Sequence, residues 1–271
     1  MKRVCLVVHE GRASAVDAAE GLRRQLAAQD VETSGRGASG ADLVVSVGGD
    51  GTFLRGAFAA MKAGCPVVGV KVGRLGFLTE VEPEDAVGLI LSALAGEAEV
   101  EERLAVTAEP AGGVEFPTQW GMNEVMVEKH ARHRLVRLAV QVDGEYVTTF
   151  SADGVIVATP TGSTAYSFSA RGPIVTPEVP CLVLTPIAAH MVFDRSIVLG
   201  ASRSVELQVV GDETGLLSAD GREAVELPLG ARVRIRASEH PARLIRRPDR
   251  AGFLTKVRDK FELPGDVGDP G

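Results

Sequence analysis

Three stretches of the chain combine residue types that can do chemistry. The first is Gly48-Gly49-Asp50-Gly51-Thr52, set between an apolar run, Leu43 to Val47, and a run with helical spacing, Phe53 to Lys62. A glycine-rich loop that feeds a helix leaves backbone N–H groups unpaired, and the helix dipole adds about half a positive charge. Such a place holds a phosphate. The alternative is an ordinary tight turn with Asp50 as a helix cap. An acid among phosphates is electrostatically awkward unless it binds a metal or takes a proton. The second stretch is Asn123-Glu124, which interrupts the apolar residues Met122, Val125 and Val127. An amide beside a carboxylate can hold a ribose diol, since each accepts a hydroxyl hydrogen. The alternative is an edge-strand pair facing solvent. The third is a hydroxyl-dense turn, Thr159-Pro160-Thr161-Gly162-Ser163-Thr164, followed by Ala165-Tyr166-Ser167-Phe168-Ser169. Its backbone groups and hydroxyls suit hydrogen bonding to a heterocycle and a sugar, and Tyr166 offers an aromatic face.

The elements around these stretches follow from periodicity. A strand over residues 2–9, a helix from Ala13 to Gln29, the strand 43–47 with its helix, a strand Pro66 to Val70 and a helix Pro83 to Ala95 alternate along the chain. Strands alternating with helices imply right-handed crossovers and a parallel sheet. Ligands of such sheets sit beyond the carboxyl ends of the strands, where the glycine loop lies. The segment Lys71 to Glu80 leaves the next strand at the same end and is expected to line the same crevice. After about Glu99 the pattern changes to strands with little helix: Arg103–Glu109, Met122–Glu128, Arg137–Val142, Tyr146–Phe150, Gly154–Ala158, Cys181–Leu184, Ser204–Val210 and Arg232–Ala237. Asp143-Gly144 and Asp220-Gly221 are hairpin turn signals. The reading is an α/β N-terminal domain with a parallel sheet, residues 1–99, followed by an all-β domain of two packed sheets, residues 100–240. A C-terminal helix, Arg250 to Phe261, carries an apolar stripe of Phe253, Leu254, Val257 and Phe261. A lone helix of that length is marginal in water, so it must return to the first domain, making 241–271 part of it. The residues from Pro264 to Gly271 look frayed.

Composition narrows the function classes. The 271 residues, 45% apolar and 24% charged, are those of a soluble globular protein with a substantial core. No apolar run reaches membrane-spanning length, and the N-terminus turns polar too soon for a signal peptide. The three cysteines show no CxxC pattern, and Cys5 and Cys181, inside apolar runs, read as core residues of a cytoplasmic protein. A net charge of −7 argues against nucleic acid as a partner. It does not argue against nucleotides, whose phosphates meet local dipoles. The five histidines are scattered, and no His, Asp and Glu cluster has metal-ligand spacing.

The sequence GGDGT resembles the signature of a kinase superfamily that includes NAD kinases, diacylglycerol and sphingosine kinases and, with Ser for Thr, phosphofructokinases. GGDGT at 48–52, Asn123-Glu124 and TPTGSTAYS at 159–167 together resemble bacterial NAD kinases in order and spacing, from about Val4 to Leu263. TPTGSTAYS is the specific part, because the lipid kinases have no such element. The resemblance implies an α/β domain followed by a β-sandwich. It implies that the γ-phosphoryl of ATP moves to the 2′-hydroxyl of the adenosine ribose of NAD, giving NADP, with Mg²⁺ carried mainly by the phosphates. Polyphosphate as donor and NADH as acceptor stay open. Carried over by position, Asp50 is the catalytic base and Gly51 lies beside the nucleotide. Arg55 contacts phosphate, Asn123 and Glu124 hold the ribose, and Arg134 makes a basic contact. Asp153 and the run Thr164, Ala165, Tyr166, Ser167, Phe168 and Ser169 line the adenine and nicotinamide subsites. Similar proteins form dimers and tetramers through the β-rich domain, so a homo-oligomer is implied.

The chain departs from the family pattern at three places. Arg171 stands where SAGGP has a glycine, Ala189-His190 replaces a Pro-His pair, and Arg222 follows the Asp-Gly hairpin where many members have Gln. If position 171 needs a positive φ, the arginine costs roughly 1 kcal/mol or bends the loop. Two competing readings remain. A lipid kinase would need an amphipathic basic helix or an exposed Trp cluster, and neither is visible. A non-catalytic NAD sensor would keep the pocket without turnover, and the intact Asp50 and Arg55 argue against it.

Overall fold

Short apolar runs alternating with amphipathic stretches build a first unit in the computed structural model, which describes residues 1–35, 37–73, 76–79 and 81–264. The chain divides into two compact units, Met1–Glu102 with the segment from Ala242 onward, and Arg103–Pro241. In chain order the first unit has β1 (Arg3–Val8), α1 (Ala13–Ala27), β2 (Glu32–Ser34), β3 (Leu43–Gly48), α2 (Asp50–Ala63), β4 (Val67–Lys71), α3 (Pro83–Ala95) and β5 (Glu99–Arg103). The second has β6 (Val106–Gly112), β7 (Gln119–Gly121), β8 (Glu124–Lys129), β9 (Val136–Val142), β10 (Glu145–Ala152) and β11 (Gly154–Ala158). A 3₁₀ turn, Thr161–Thr164, then leads into the short helix α4 (Tyr166–Ser169). The strands β12 (Cys181–Ile187), β13 (Ile197–Gly200), β14 (Val205–Val210), β15 (Gly215–Ala219), β16 (Val225–Leu227) and β17 (Arg232–Ala237) complete it. The chain then returns to the first unit with β18 (Ala242–Arg246) and α5 (Phe253–Lys260).

The first sheet has the order β2-β1-β3-β4-β18-β5, and β1, β2, β3, β4 and β18 pair in parallel. Alternation along β3 splits its side chains between two helical layers. Leu43, Val45 and Val47 join Leu22 and Leu26 of α1 and Ile90 of α3 in one buried cluster. On the other face Gly56 of α2 lies against Val44, Ser46 and Val67, so close that a Cβ would come within 3.0 Å of the Ser46 Cβ. That approach draws the first turn of α2 onto the carboxyl end of β3.

The second unit is a sandwich of two six-stranded antiparallel sheets, β10-β9-β14-β17-β6-β7 and β13-β12-β11-β8-β15-β16. Val106, Leu138, Leu207 and Val233 of one sheet meet Val127, Val155, Leu184 and Leu217 of the other in a single buried core. Asp143 and Gly144 turn β9 into β10 with φ of 50° and 84°, the left-handed pair that a two-residue hairpin requires.

Several expectations are corrected. The helix after β3 begins at Asp50, inside the glycine motif, so Asp50, Gly51 and Thr52 are its first turn and Gly49 is its cap. Asp50 is therefore not the cap residue. The expected strand from Arg103 to Glu109 starts only at Val106, because the chain breaks at Leu104-Ala105, between β5 and β6, and changes sheets. β2, β5, β7, β13, β15, β16 and β18 are strands that periodicity did not reveal; each has only three to five residues. Leu254 is 67% exposed and leaves the apolar stripe of α5, whose packing face repeats at Phe253, Val257 and Phe261. The expected fraying beyond Pro264 concerns residues 265–271, which lie outside the described residues. So do Arg74, Leu75 and Glu80 of the loop after β4.

Candidate active site

Asp50 sits in the first turn of α2, where the helix dipole favours a negative charge. Its carboxylate is oriented by the loop that follows β4. Phe77 N–H donates to Oδ2 at 2.9 Å and Leu78 N–H to Oδ1 at 3.1 Å. Gly76 makes that possible: a Cβ there would lie 2.0 Å from Asp50 Oδ1. Lys260 of α5 places its ammonium 3.6 Å from Oδ2. Two clefts flank the helix start. One, of about 580 Å³, is lined by His9, Glu10, Arg12, Gly51, Thr52 and Arg55. The other, of about 630 Å³, is lined by Arg12, Gly49, Asp50, Gly73, Gly76 and Lys260. Free N–H groups of the first helical turn, Arg12, Arg55 and Lys260 suit these clefts to an anion with several charges. Arg12 is itself held by donating to the Val72 carbonyl at 2.6 Å.

In the second unit the Asn123-Glu124 pair is at the start of β8, a central strand between β11 and β15. It is therefore not a solvent-facing edge pair. The Asp220 carboxylate receives three backbone N–H groups, from Met122 at 2.8 Å, Asn123 at 2.8 Å and Glu124 at 3.2 Å. The pair is thus held through its backbone, and its side chains are left for other work. Asn123 Oδ1 and Glu124 Oε2 are buried with no hydrogen-bond partner in the protein. Each such acceptor costs stability until something donates to it. Burial, with the nearby Asp220, pushes the Glu124 carboxyl up to about 8. Burial also raises Asp220, against the pull of its three N–H donors and of Arg222.

The hydroxyl-dense turn differs from expectation. Thr159 Oγ1 donates to the Met122 carbonyl at 2.6 Å and accepts Gly162 N–H at 3.1 Å. Thr159 N–H donates to the Asn123 carbonyl at 2.8 Å. Ser163 Oγ donates to the Pro160 carbonyl at 2.6 Å and accepts Val175 N–H at 2.9 Å, while Thr161 Oγ1 accepts from Arg103 at 3.3 Å. Several of these hydroxyls therefore hold the turn itself, and Thr159 fastens it to Met122 through its hydroxyl and to Asn123 through its amide. Gly162 presses on the same residue, where a Cβ would lie 2.0 Å from the Asn123 carbonyl oxygen. Ser167 is also turned inward, its Oγ 3.1 Å from Thr185 Oγ1. Thr164 and Ala165 are half-buried, and Tyr166, Phe168 and Ser169 are exposed along α4.

The remaining candidates are placed as follows. Asp153 lies between β10 and β11, is half-buried and pairs with Lys129. Arg134, in the loop after β8, is exposed and has Nε 3.6 Å from Glu213. Arg171 adopts φ 67°, so it occupies the left-handed conformation that glycine takes without strain. Gly172 beside it is irreplaceable for another reason, since a Cβ would meet Ser167 Oγ at 2.3 Å. Arg222 folds back, donating to the Trp120 carbonyl and lying 3.6 Å from Asp220. Among the described residues, no three His, Cys, Asp or Glu side chains stand together as a ligand set. Sequence reasoning missed Arg12, Gly76, Lys260 and Asp220. Arg12 had a usable signal, because it follows β1 at the same sheet end as the glycine motif, and Gly76 falls in the segment expected to line that crevice.

The chain matches two family descriptions, the ATP-NAD kinase N-terminal domain over residues 9–98 and the ATP-NAD kinase C-terminal domain over residues 122–247. It is 39% identical to NAD kinase 2 of Streptomyces avermitilis, over 97% of this chain and 95% of that protein. It is 41% identical to the NAD kinase of Leifsonia xyli subsp. xyli, over 90% of this chain and 84% of that one. Among solved structures, the NAD kinase from Archaeoglobus fulgidus in complex with ATP superposes with a TM-score of 0.75 at 29% identity, covering 97% of this chain and 98% of its own. Yeast NADH kinase complexed with NADH superposes with a TM-score of 0.84 at 22% identity, covering 99% and 90%, a likeness of fold.

Proposed function

Since the chain belongs to the ATP-NAD kinase family and is an enzyme that phosphorylates NAD, we propose that it moves the γ-phosphoryl of ATP to the 2′-hydroxyl of the adenosine ribose, with Asp50 as the base. A ribose hydroxyl is a poor nucleophile, and a carboxylate that takes its proton as the new bond forms is worth about 10²–10⁴ in rate. Asp50 suits that role because the Phe77 and Leu78 amides fix its plane beside an anion-attracting helix start. ATP as donor is supported by the Archaeoglobus relative, which binds it. The polyphosphate chain enters the cationic clefts with Arg12 and Arg55, and Gly51 keeps the helix start open to it. Mg²⁺ arrives as part of the MgATP substrate, where it neutralises phosphate charge.

The observation that carries the acceptor assignment is the buried, unpartnered pair of acceptors, Asn123 Oδ1 and Glu124 Oε2. Ribose hydroxyls are donors of the right number. Asp153, Thr164, Ala165, Tyr166, Phe168 and Ser169 line the base subsites, and Arg134 adds a basic contact from its loop. Ser167 acts from behind, through Thr185. The first unit binds the nucleotide phosphates, and the β-rich unit binds NAD and carries the contacts of a homo-oligomer, dimer or tetramer. Exposed Val192, Phe193 and Val198 on that unit support an assembly surface. A cytoplasmic location completes the reading; no described helix is long and apolar enough to cross a membrane.

The test is NAD lacking the adenosine 2′-hydroxyl. It should compete with NAD, because the 3′-hydroxyl still reaches the Asn123-Glu124 pair, and it should never accept phosphate. Transfer to its 3′ position would contradict the assignment.

A further inference from the structure

The last helix of the chain reaches the proposed base through a connected set of contacts. Phe77 is central to it. Its N–H donates to Asp50, and its carbonyl accepts from Lys256 of α5 at 3.3 Å. Its ring lies 6.1 Å from the Phe253 ring and 6.0 Å from the Phe261 ring, both presented by α5. Lys260 completes the set, with its ammonium 4.6 Å from the centre of the Phe77 ring and 3.6 Å from Asp50 Oδ2. Lys256 and Lys260 are one helical turn apart and share a face with Phe253, Val257 and Phe261. Lys256 is 4% exposed, unusual for a lysine, and donates to the Phe77 carbonyl. Lys260 is held between an aromatic face and a carboxylate, each attractive to an ammonium. It also stands in the last turn of α5, where the helix dipole favours a cation.

We propose that Lys260 is a positioning residue for phosphoryl transfer, with α5 acting as a clamp that seats Phe77 and fixes the Asp50 carboxylate beside the helix start. The proposal rests on the reading of Asp50 as the base. Lys260 acts on Asp50 directly, with its ammonium 3.6 Å from Oδ2, and through Phe77, against whose ring the same ammonium lies. Asp50 shares its cleft with Lys260 and Arg12 and accepts the Phe77 and Leu78 amides. Loss of the Lys260 contact should therefore loosen the seat of the carboxylate.

The experiment compares Lys260→Met, Lys260→Arg and Arg258→Met, each alone, with Asp50→Asn and the double variant Asp50→Asn/Lys260→Met. Arg258 is on the exposed side of α5 beside Asp259 and serves as the control. Lys260→Met should lower kcat about tenfold with KM for ATP and NAD within about twofold. Lys260→Arg should recover most of the loss, Arg258→Met should behave as the parent, and melting temperatures should stay together. In the Asp50→Asn background Lys260→Met should change nothing further, because the group it serves is gone. If Asp50→Asn is slow but Lys260→Met is not, the positioning role falls and the base stands. If Asp50→Asn is itself fast, the base reading falls. A rise in the KM for ATP at constant kcat would make Lys260 a phosphate contact and overturn the proposal, as would a lower melting temperature that Lys260→Arg fails to restore.

Discussion

Glu124 shows how one carboxyl can be tuned by its surroundings and then used. Burial and the neighbouring Asp220 raise it to about 8, so near neutral pH it holds its proton in the free protein. In the ionised form both carboxylate oxygens only accept, which suits a ribose hydroxyl that donates to Glu124 Oε2. Binding NAD in that way therefore expels the proton, and affinity should rise as pH increases, by about tenfold per unit below pH 8, and level off above it. Calorimetry of NAD binding at pH 7 in buffers of different ionisation enthalpy should count nearly one proton released, and none for Glu124→Gln. Uptake of a proton, or no exchange in the parent, would mean that the carboxyl stays neutral and donates one bond itself. The sequence showed the Asn-Glu pair and the hydroxyls it could hold. It could not show Asp220 beneath it, because Asp220-Gly221 reads as a turn signal whether or not its carboxylate is buried. Arg171 was legible in the opposite sense: a residue in a glycine position, now found at φ 67°.

At the scale of elements, the two motifs of the second unit are one construction. The turn from Thr159 to Thr164 is fastened to the backbone of Met122 and Asn123 by the Thr159 hydroxyl and amide, and Gly162 lies flush against the Asn123 carbonyl. Gly162→Ala would set a Cβ 2.0 Å from that oxygen, a backbone atom that cannot rotate away. It should destabilise the protein by about 1–3 kcal/mol and weaken NAD binding as the pair is displaced. Gly88→Ala is the contrast, since nothing lies within 4 Å of its Cβ in the middle of α3. It should stabilise by about 0.5–1 kcal/mol and leave NAD binding as it was. Melting temperature and NAD affinity on both variants check this; equal effects would mean that the turn has freedom to move. Local pattern gave α3 to the residue because Pro83 opens it and Gly96 closes it. It failed for the start of α2, where glycines that read as loop are drawn into the first helical turn by the packing of Gly56 on β3. Nor could it show that the Thr159 and Ser163 hydroxyls bond nearby carbonyls of the chain.

At the scale of the whole molecule, an α/β unit built on a parallel sheet and a unit built as a β-sandwich were both legible, because helical and alternating periodicities differ along the chain. Less legible was β18, which joins the first sheet between β4 and β5 from far along the sequence. That pairing carries the chain back to the first unit and delivers α5 to Phe77. No local signal announces a partner so distant. The helix that looked like a tail seeking cover is thus part of how Asp50 is held. The account stands or falls on Asp50, and the most direct test is one preparation of Asp50→Asn on which NAD binding, kcat and melting are all measured. Asn fills nearly the same volume and can still accept a hydrogen bond, but it cannot take the proton of the 2′-hydroxyl. NAD affinity should change by no more than about tenfold, since one ribose contact is worth roughly 1 kcal/mol. Turnover should fall by about 10²–10⁴. A folded Asp50→Asn protein that keeps its kcat within a few-fold would contradict the account and require another group to be the base.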